Sequence, residues 1–244
     1  MHIEESGRLA GPPVVLLHGL PSTVDWAEAL VRRLEPTHRV LIPHLPGYGL
    51  SPPVTPYGWS AVMSDLAGEL KQRVGSTPAV LVGFSGGAWR ALELAADGLV
   101  PARAILALGA VAHLDDAERA GFRQFAAALR AGADLSALAG PRFLAKLAHD
   151  AAAVSQVQAW LRAASPAALA DELEALAGEP DVLSRLSHVK CPVTLRTGTA
   201  DVACPPAKAR AIAAAIPHAQ LEWVEGAGHA LNLEAPDALD ISGL

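Results

Sequence analysis

Cysteine is scarce: Cys191 and Cys204 are the only two in 244 residues, and they form neither a C-x-x-C pair nor part of a zinc-ligand grouping. That excludes a disulfide scaffold and leaves two ordinary reduced thiols as the expectation. A surplus of positive charge is also missing. The net charge of −6 gives no reason to expect a nucleic-acid backbone or an anionic membrane as partner. Long hydrophobic runs are absent too, since stretches such as Pro13–Leu17 and Ala104–Leu108 are far too short to span a bilayer. The opening residues MHIEESGRLAGPP lack the charged-then-apolar layout of a secretory leader, so a soluble cytoplasmic protein is expected.

What is present is a folding composition, 51% apolar and 18% charged, long enough for one large core. Short apolar runs alternate with helix-like segments, which predicts an α/β architecture with a mainly parallel sheet. Strands are predicted at Val14–Leu17, Arg39–Ile42, Ala79–Val82, Ala102–Leu108, Pro192–Arg196 and Gln220–Val224. Helices are predicted at Asp25–Leu34, Ser60–Val74 and from Gly86 to Ala96, with a loop through His18–Thr23. Between His113 and Leu186 β-branched residues become few and no strand is convincing. That stretch predicts several short helices, broken near Gly140-Pro141, Ser165-Pro166 and Glu179-Pro180. It is expected to be a helical insertion, 113–186, into a core made of 1–112 and 187–244.

Three polar residues each follow a different predicted strand. Ser85 lies in Gly83-Phe84-Ser85-Gly86-Gly87, a G-x-S-x-G spacing between strand and helix. The glycines permit a sharp bend, and the following helix directs its first N–H groups toward developing negative charge. Alone, this spacing leaves a structural turn and a catalytic one equally open. A serine hydroxyl attacks only when a base takes its proton. His229, in the glycine-flanked loop after the strand ending at Val224, is a candidate base, and Asp201, in Thr197-Gly-Thr-Ala-Asp201, is a candidate orienting acid. Catalytic groups of open α/β sheets gather beyond the carboxyl ends of strands, where all three are placed.

The sequence resembles the α/β-hydrolase superfamily over nearly its whole length. The matching pieces are His18-Gly19, Pro46-Gly-Tyr-Gly-Leu-Ser51, the Ser85 turn, Gly198-Thr-Ala-Asp201 and Gly228-His-Ala-Leu-Asn-Leu-Glu-Ala-Pro236. The resemblance implies an α/β-hydrolase fold with an all-helical cap, and a catalytic triad of Ser85, Asp201 and His229. It also implies an oxyanion hole from the backbone N–H groups of Leu20 and Gly86, with His18 a structural residue of its loop. No metal or organic cofactor is implied. The expected partner is a small-molecule ester or lactone, without nucleic acid or membrane, and monomer and homodimer are not distinguished.

Departures from the pattern are His44, where many relatives carry an acid, an N-terminus one strand short of eight, and a short closing segment after His229. An exposed turn histidine is the plain reading of His44. Asp115 and Asp116 offer a second position for the acid. Phe84, Trp89, Phe122, Phe125 and Phe143 are candidate pocket residues, and Arg90, Arg123 and Arg142 are candidate partners for a substrate carboxylate. The expected activity is serine-dependent cleavage of a small, mostly apolar carboxylic ester through an acyl-enzyme. Lactone, enol-lactone or carbon–carbon hydrolysis is the alternative among enzymes of this fold, and a small-molecule receptor of the same fold with vestigial hydrolysis is the alternative of another class.

Overall fold

The structure, a computed structural model, describes residues 1–20 and 24–244; Pro21–Thr23, the end of the loop expected after the first long apolar strand, lie outside them. Among the described residues seven strands form one sheet: β1 (His2–Gly7), β2 (Pro13–Leu17), β3 (Arg39–His44), β4 (Ala79–Phe84), β5 (Ala102–Leu108), β6 (Val193–Gly198) and β7 (Gln220–Val224). Their order is β1-β3-β2-β4-β5-β6-β7, and every pairing is parallel except β1 with β3. β2 and β4 are buried at every position, as continuous apolar runs in a sheet covered on both faces must be. β1 was not among the predicted strands. It is an antiparallel edge strand, so Ile3 turns inward while Glu4 and Glu5 face solvent, and Glu5 pairs with Arg39 of β3 at 2.7 Å. An edge strand needs only one apolar side, which is why its acids hid it.

Helices α1 (Glu28–Leu34), α2 (Trp59–Val74) and α3 (Gly86–Ala96) alternate with the first strands. Between β5 and β6 come five more: α4 (Asp116–Arg130), α5 (Leu135–Leu138), α6 (Pro141–Leu147), α7 (Ala151–Ala163) and α8 (Pro166–Gly178). Their boundaries follow local chemistry. Asp115 and Glu118 form a reciprocal capping box on α4, the Asp150 and Ser165 side chains cap α7 and α8, and Pro141 and Pro166 sit in first turns, where no N–H is needed. α9 (Pro206–Ala215) precedes β7, and α10 (Leu231–Glu234) follows it. No helix of the described residues is long and apolar enough to cross a membrane.

Strand alternation splits the core in two. Val15, Leu17 and Leu81 pack with α2 and α3 on one face, while Val14, Leu16, Val80 and Val82 pack with α1 on the other. The second cluster runs on into the inserted helices through Leu144, Leu147, Val157, Trp160 and Leu173, and it includes Phe84 and Leu231. The insertion therefore shares a core with the strand end that carries the serine. A fully buried ion pair, Arg90 of α3 with Glu172 of α8, adds a second tie. Removing either partner would strand the other charge at about 3–5 kcal/mol.

Candidate active site

β4 ends at Phe84 and α3 begins at Gly86, leaving Ser85 alone in the turn. Its backbone, φ 53° and ψ −118°, is the one positive-φ conformation of a non-glycine residue among the described residues. Such a conformation costs on the order of 1–3 kcal/mol and persists only when its surroundings over-determine it. Here the Ser85 N–H donates to the Leu108 carbonyl at 2.9 Å, and the Ser85 carbonyl accepts from the Ala88 N–H at 2.9 Å. Gly87 is the packing device, because a Cβ there would fall on the Leu17 carbonyl oxygen of β2. Helix α3 thereby sits directly on the strand preceding the His18 loop.

That loop closes over the turn from the other side. A Cβ on Gly19 would lie 2.5 Å from the Phe84 carbonyl oxygen, 2.7 Å from Ser85 Cβ and 3.3 Å from the Gly86 nitrogen. Only glycine permits this close an approach of the His18 loop to the Ser85 turn. His18 is buried: its Nε2 accepts from the Leu45 N–H at 3.5 Å and its Nδ1 lies 3.3 Å from the Gly19 carbonyl oxygen. Burial pushes its pKa down to about 4.

Asp201 and His229, separated by 28 positions, meet beyond β6 and β7. His229 Nδ1 lies 2.8 Å from Asp201 Oδ2 with both side chains buried. Asp201 Oδ1 accepts two further bonds, from the N–H groups of Ala203 at 2.9 Å and Cys204 at 2.7 Å. Those two bonds fix the carboxylate and leave one oxygen for the imidazole. The His229 ring lies 5.0 Å from that of Phe84, the residue before Ser85, and Phe84 in turn stacks on Trp26 at 5.7 Å. Asp115, the second candidate acid, is occupied as the cap of α4, and Asp116 is exposed.

Two features near this site were given no part in it from the sequence. Glu234 is one: its carboxylate accepts from the Gly228 N–H at 2.5 Å and from the His149 N–H, while the Ala230 N–H donates to the Leu147 carbonyl at 2.8 Å. The His229 loop is thus stapled to the corner between α6 and α7. Cys204 is the other, a buried free thiol whose pKa is raised well above the ordinary value by burial first and then by the charge of Asp201.

A cavity of about 10 Å³ adjoins His229, walled by Leu20, Phe84, Leu147, Val157, Trp160 and Ala230. Of the five aromatic candidates only Phe84 lines it. Trp89 is buried against Trp59, Phe125 stacks on Phe143 at 5.7 Å, and Phe122 packs where the two core clusters meet. The rest of the lining includes Leu147 of α6 and Val157 and Trp160 of α7. Spacing alone did not reveal which face of those alanine-rich helices turns inward. Arg90 is committed to Glu172, Arg123 donates to the Ala177 carbonyl at 3.0 Å, and Arg142 is exposed. A larger cleft, about 320 Å³, lies at the opposite ends of the strands, around Pro12, Val80 and Arg103. Among the described residues no group of three or more His, Cys, Asp or Glu side chains could hold a metal ion.

His44 is not the exposed turn residue expected. It is buried, and its Nδ1 accepts from the Leu50 N–H at 2.9 Å, which holds the Pro46–Ser51 turn closed with a neutral ring where an acid would use a carboxylate oxygen. Burial, and then His2, lower its pKa. For His18 and His44 the folded state favours the neutral ring, so an unfolded chain near 6.5 binds more protons. Stability is therefore complete above pH 6.5 and falls as pH drops toward 4. His18 alone is expected to remove about 2–3 kcal/mol by pH 4.5. Urea melts at pH 7.5 and 4.5 check this: the His18→Asn protein should show the smaller pH dependence, and equal dependence would overturn it.

With this geometry in place, the family profile described as "Alpha/beta hydrolase family" matches residues 14–240. The chain belongs to the alpha/beta hydrolase family. It is an enzyme of that family, a hydrolase, with the seven-stranded, mostly parallel sheet of its fold. It is 32% identical over 248 residues to a pimeloyl-[acyl-carrier protein] methyl ester esterase of Xanthomonas oryzae pv. oryzae, covering 94% of this chain and 92% of that one. It is 31% identical over 250 residues to the polyketide synthase ThaQ of Burkholderia thailandensis, and there the chain spans 11% of the longer protein's length. Among solved structures, an esterase from Thermogutta terrifontis superposes with a TM-score of 0.84 at 26% identity, covering 97% of this chain and 88% of that one. The enol-lactonase from Burkholderia xenovorans LB400 shares the fold, with a TM-score of 0.85 at 23% identity over 97% of this chain and 92% of that one.

Proposed function

We propose that this alpha/beta hydrolase cleaves a small, mostly apolar carboxylic ester through a Ser85–His229–Asp201 triad. The observation that carries the reading is the buried Asp201–His229 hydrogen bond of 2.8 Å, with the His229 ring 5.0 Å from that of Phe84, the residue before a serine held at positive φ. Ser85 Oγ attacks the ester carbonyl carbon while His229 Nε2 takes its proton. Asp201 holds the imidazole with its proton on Nδ1 and stabilises the imidazolium that forms. The N–H groups of Leu20 and Gly86 receive the developing oxyanion, each such donor being worth about a hundredfold to a thousandfold in rate. Collapse breaks the carbonyl carbon–alkoxy oxygen bond, and His229 returns the proton to the departing alcohol. A water molecule, deprotonated by His229, then attacks the acyl-enzyme, releases the acid and restores Ser85.

The esterase of Xanthomonas oryzae and that of Thermogutta terrifontis, both similar to this chain, support ester cleavage over other hydrolyses. The test is steady-state turnover of p-nitrophenyl esters of graded acyl length beside γ- and δ-lactones and an enol-lactone. Multiple turnovers with short esters are expected. Faster lactone opening would move the substrate class, and a single turnover followed by arrest would favour a ligand receptor.

A further inference from the structure

We infer that the small cavity beside His229 seats the alkoxy half of the ester, that it fits a methyl group, and that Trp160 sets this limit. The inference rests on the hydrolase reading above and names the substrate within it: methyl esters. The assignment of the alkoxy half follows from the proton's path. His229 must hand its proton to the leaving oxygen, so that oxygen lies within reach of the imidazole and its carbon enters whatever space adjoins the ring. The acyl chain leaves the carbonyl carbon on the other side. The space adjoining the ring is about 10 Å³, close to the least that admits one group the size of a water or a methyl.

Among the described residues that line it His229 is the only polar one, so the group it takes is neutral and apolar. The outer wall does not yield freely. Leu147 is hydrogen-bonded through its carbonyl to Ala230, His149 two positions on is bridged to the His229 loop by Glu234, and Val157 and Trp160 belong to the packed core beneath α7. Trp160 is the largest of these side chains. Its indole N–H has no hydrogen-bond partner among the described residues, so a smaller residue there gives up packing and volume without breaking a polar contact.

The experiment measures kcat/KM for methyl, ethyl, propyl and butyl butanoate, by acid release, with the unaltered protein and with Trp160→Leu. One extra methylene in a filled apolar pocket discriminates by about tenfold or more. The unaltered protein is therefore expected to favour methyl over butyl butanoate by at least about a hundredfold. Trp160→Leu is expected to bring that ratio to within about threefold, chiefly through faster butyl ester cleavage. A flat alkoxy series in the unaltered protein overturns the inference whether or not the variant folds. So does a folded Trp160→Leu protein that keeps the original ratio. Methyl esters of butanoic, hexanoic and octanoic acids form the control, and discrimination greater there than in the alkoxy series would also overturn the inference. No turnover of any ester, with Ser85 unlabelled by a fluorophosphonate, removes the hydrolase reading itself. Turnover without alkoxy discrimination removes only this one.

Discussion

Ester hydrolysis by the Ser85→Ala protein is expected to be slower by roughly four to six orders of magnitude in kcat, with KM little changed. In the proposed mechanism the loss of Oγ removes the atom that forms the acyl-enzyme, while the rest of the site remains to bind the ester. The residual rate should then be that of binding and oxyanion stabilisation acting on water, roughly 10³–10⁴ above the uncatalysed reaction. The backbone makes a second, independent demand. Alanine at 85 keeps a Cβ at φ 53°, so the strain stays and the melting temperature should be close to that of the unaltered protein. Glycine at 85 abolishes activity to the same extent but releases strain on the order of 1–3 kcal/mol, against about 0.5–1 kcal/mol of added chain entropy. Ser85→Gly should therefore be at least as stable as Ser85→Ala. A Ser85→Ala protein that still hydrolyses esters at more than about a hundredth of the original rate would show that another group is the nucleophile.

The inner strands were legible because a parallel sheet buries both faces, so β2 and β4 run apolar or small and buried throughout. β5 and β7 fall at the predicted residues, and the others differ by one or two at their ends. The breaks in the insertion were legible for a different reason: proline cannot continue a helix from within, and Pro141 and Pro166 open new ones. β1 was hidden by its solvent-facing acids. Glu234, the cavity wall and the partner of Arg90 depend on how distant segments pack, and no local pattern marks that. Arg90 illustrates the limit: on a helix it suggested a substrate carboxylate, whereas its charge is met by Glu172, 82 positions away. The His44 ring likewise accepts a backbone N–H, a role visible only once the Leu50 amide is seen against it. The order Ser85, Asp201, His229 after three strands was legible; the 2.8 Å approach of Asp201 to His229 was not.

Asp201→Asn is expected to lower kcat by about 10⁴, and the reason is specific to how this carboxylate is held. Oδ1 accepts from the N–H groups of Ala203 and Cys204, so an asparagine must place its carbonyl oxygen there and turn its NH₂ toward His229. That NH₂ donates to Nδ1, which forces the ring proton onto Nε2, the nitrogen that must accept from Ser85. The geometry survives while the tautomer is wrong, so KM should change little and the fold should persist. Asp115→Asn and Asp116→Asn serve as the comparison. Asp115 caps α4 through the Glu118 N–H at 2.8 Å, and asparagine caps nearly as well, so kcat should stay within about twofold. Asp116 is exposed in the first turn and should matter less still. If Asp115→Asn or Asp116→Asn were the damaging change and Asp201→Asn the silent one, the acid would belong to the strand before α4, and the hydrogen bond to His229 would be structural only.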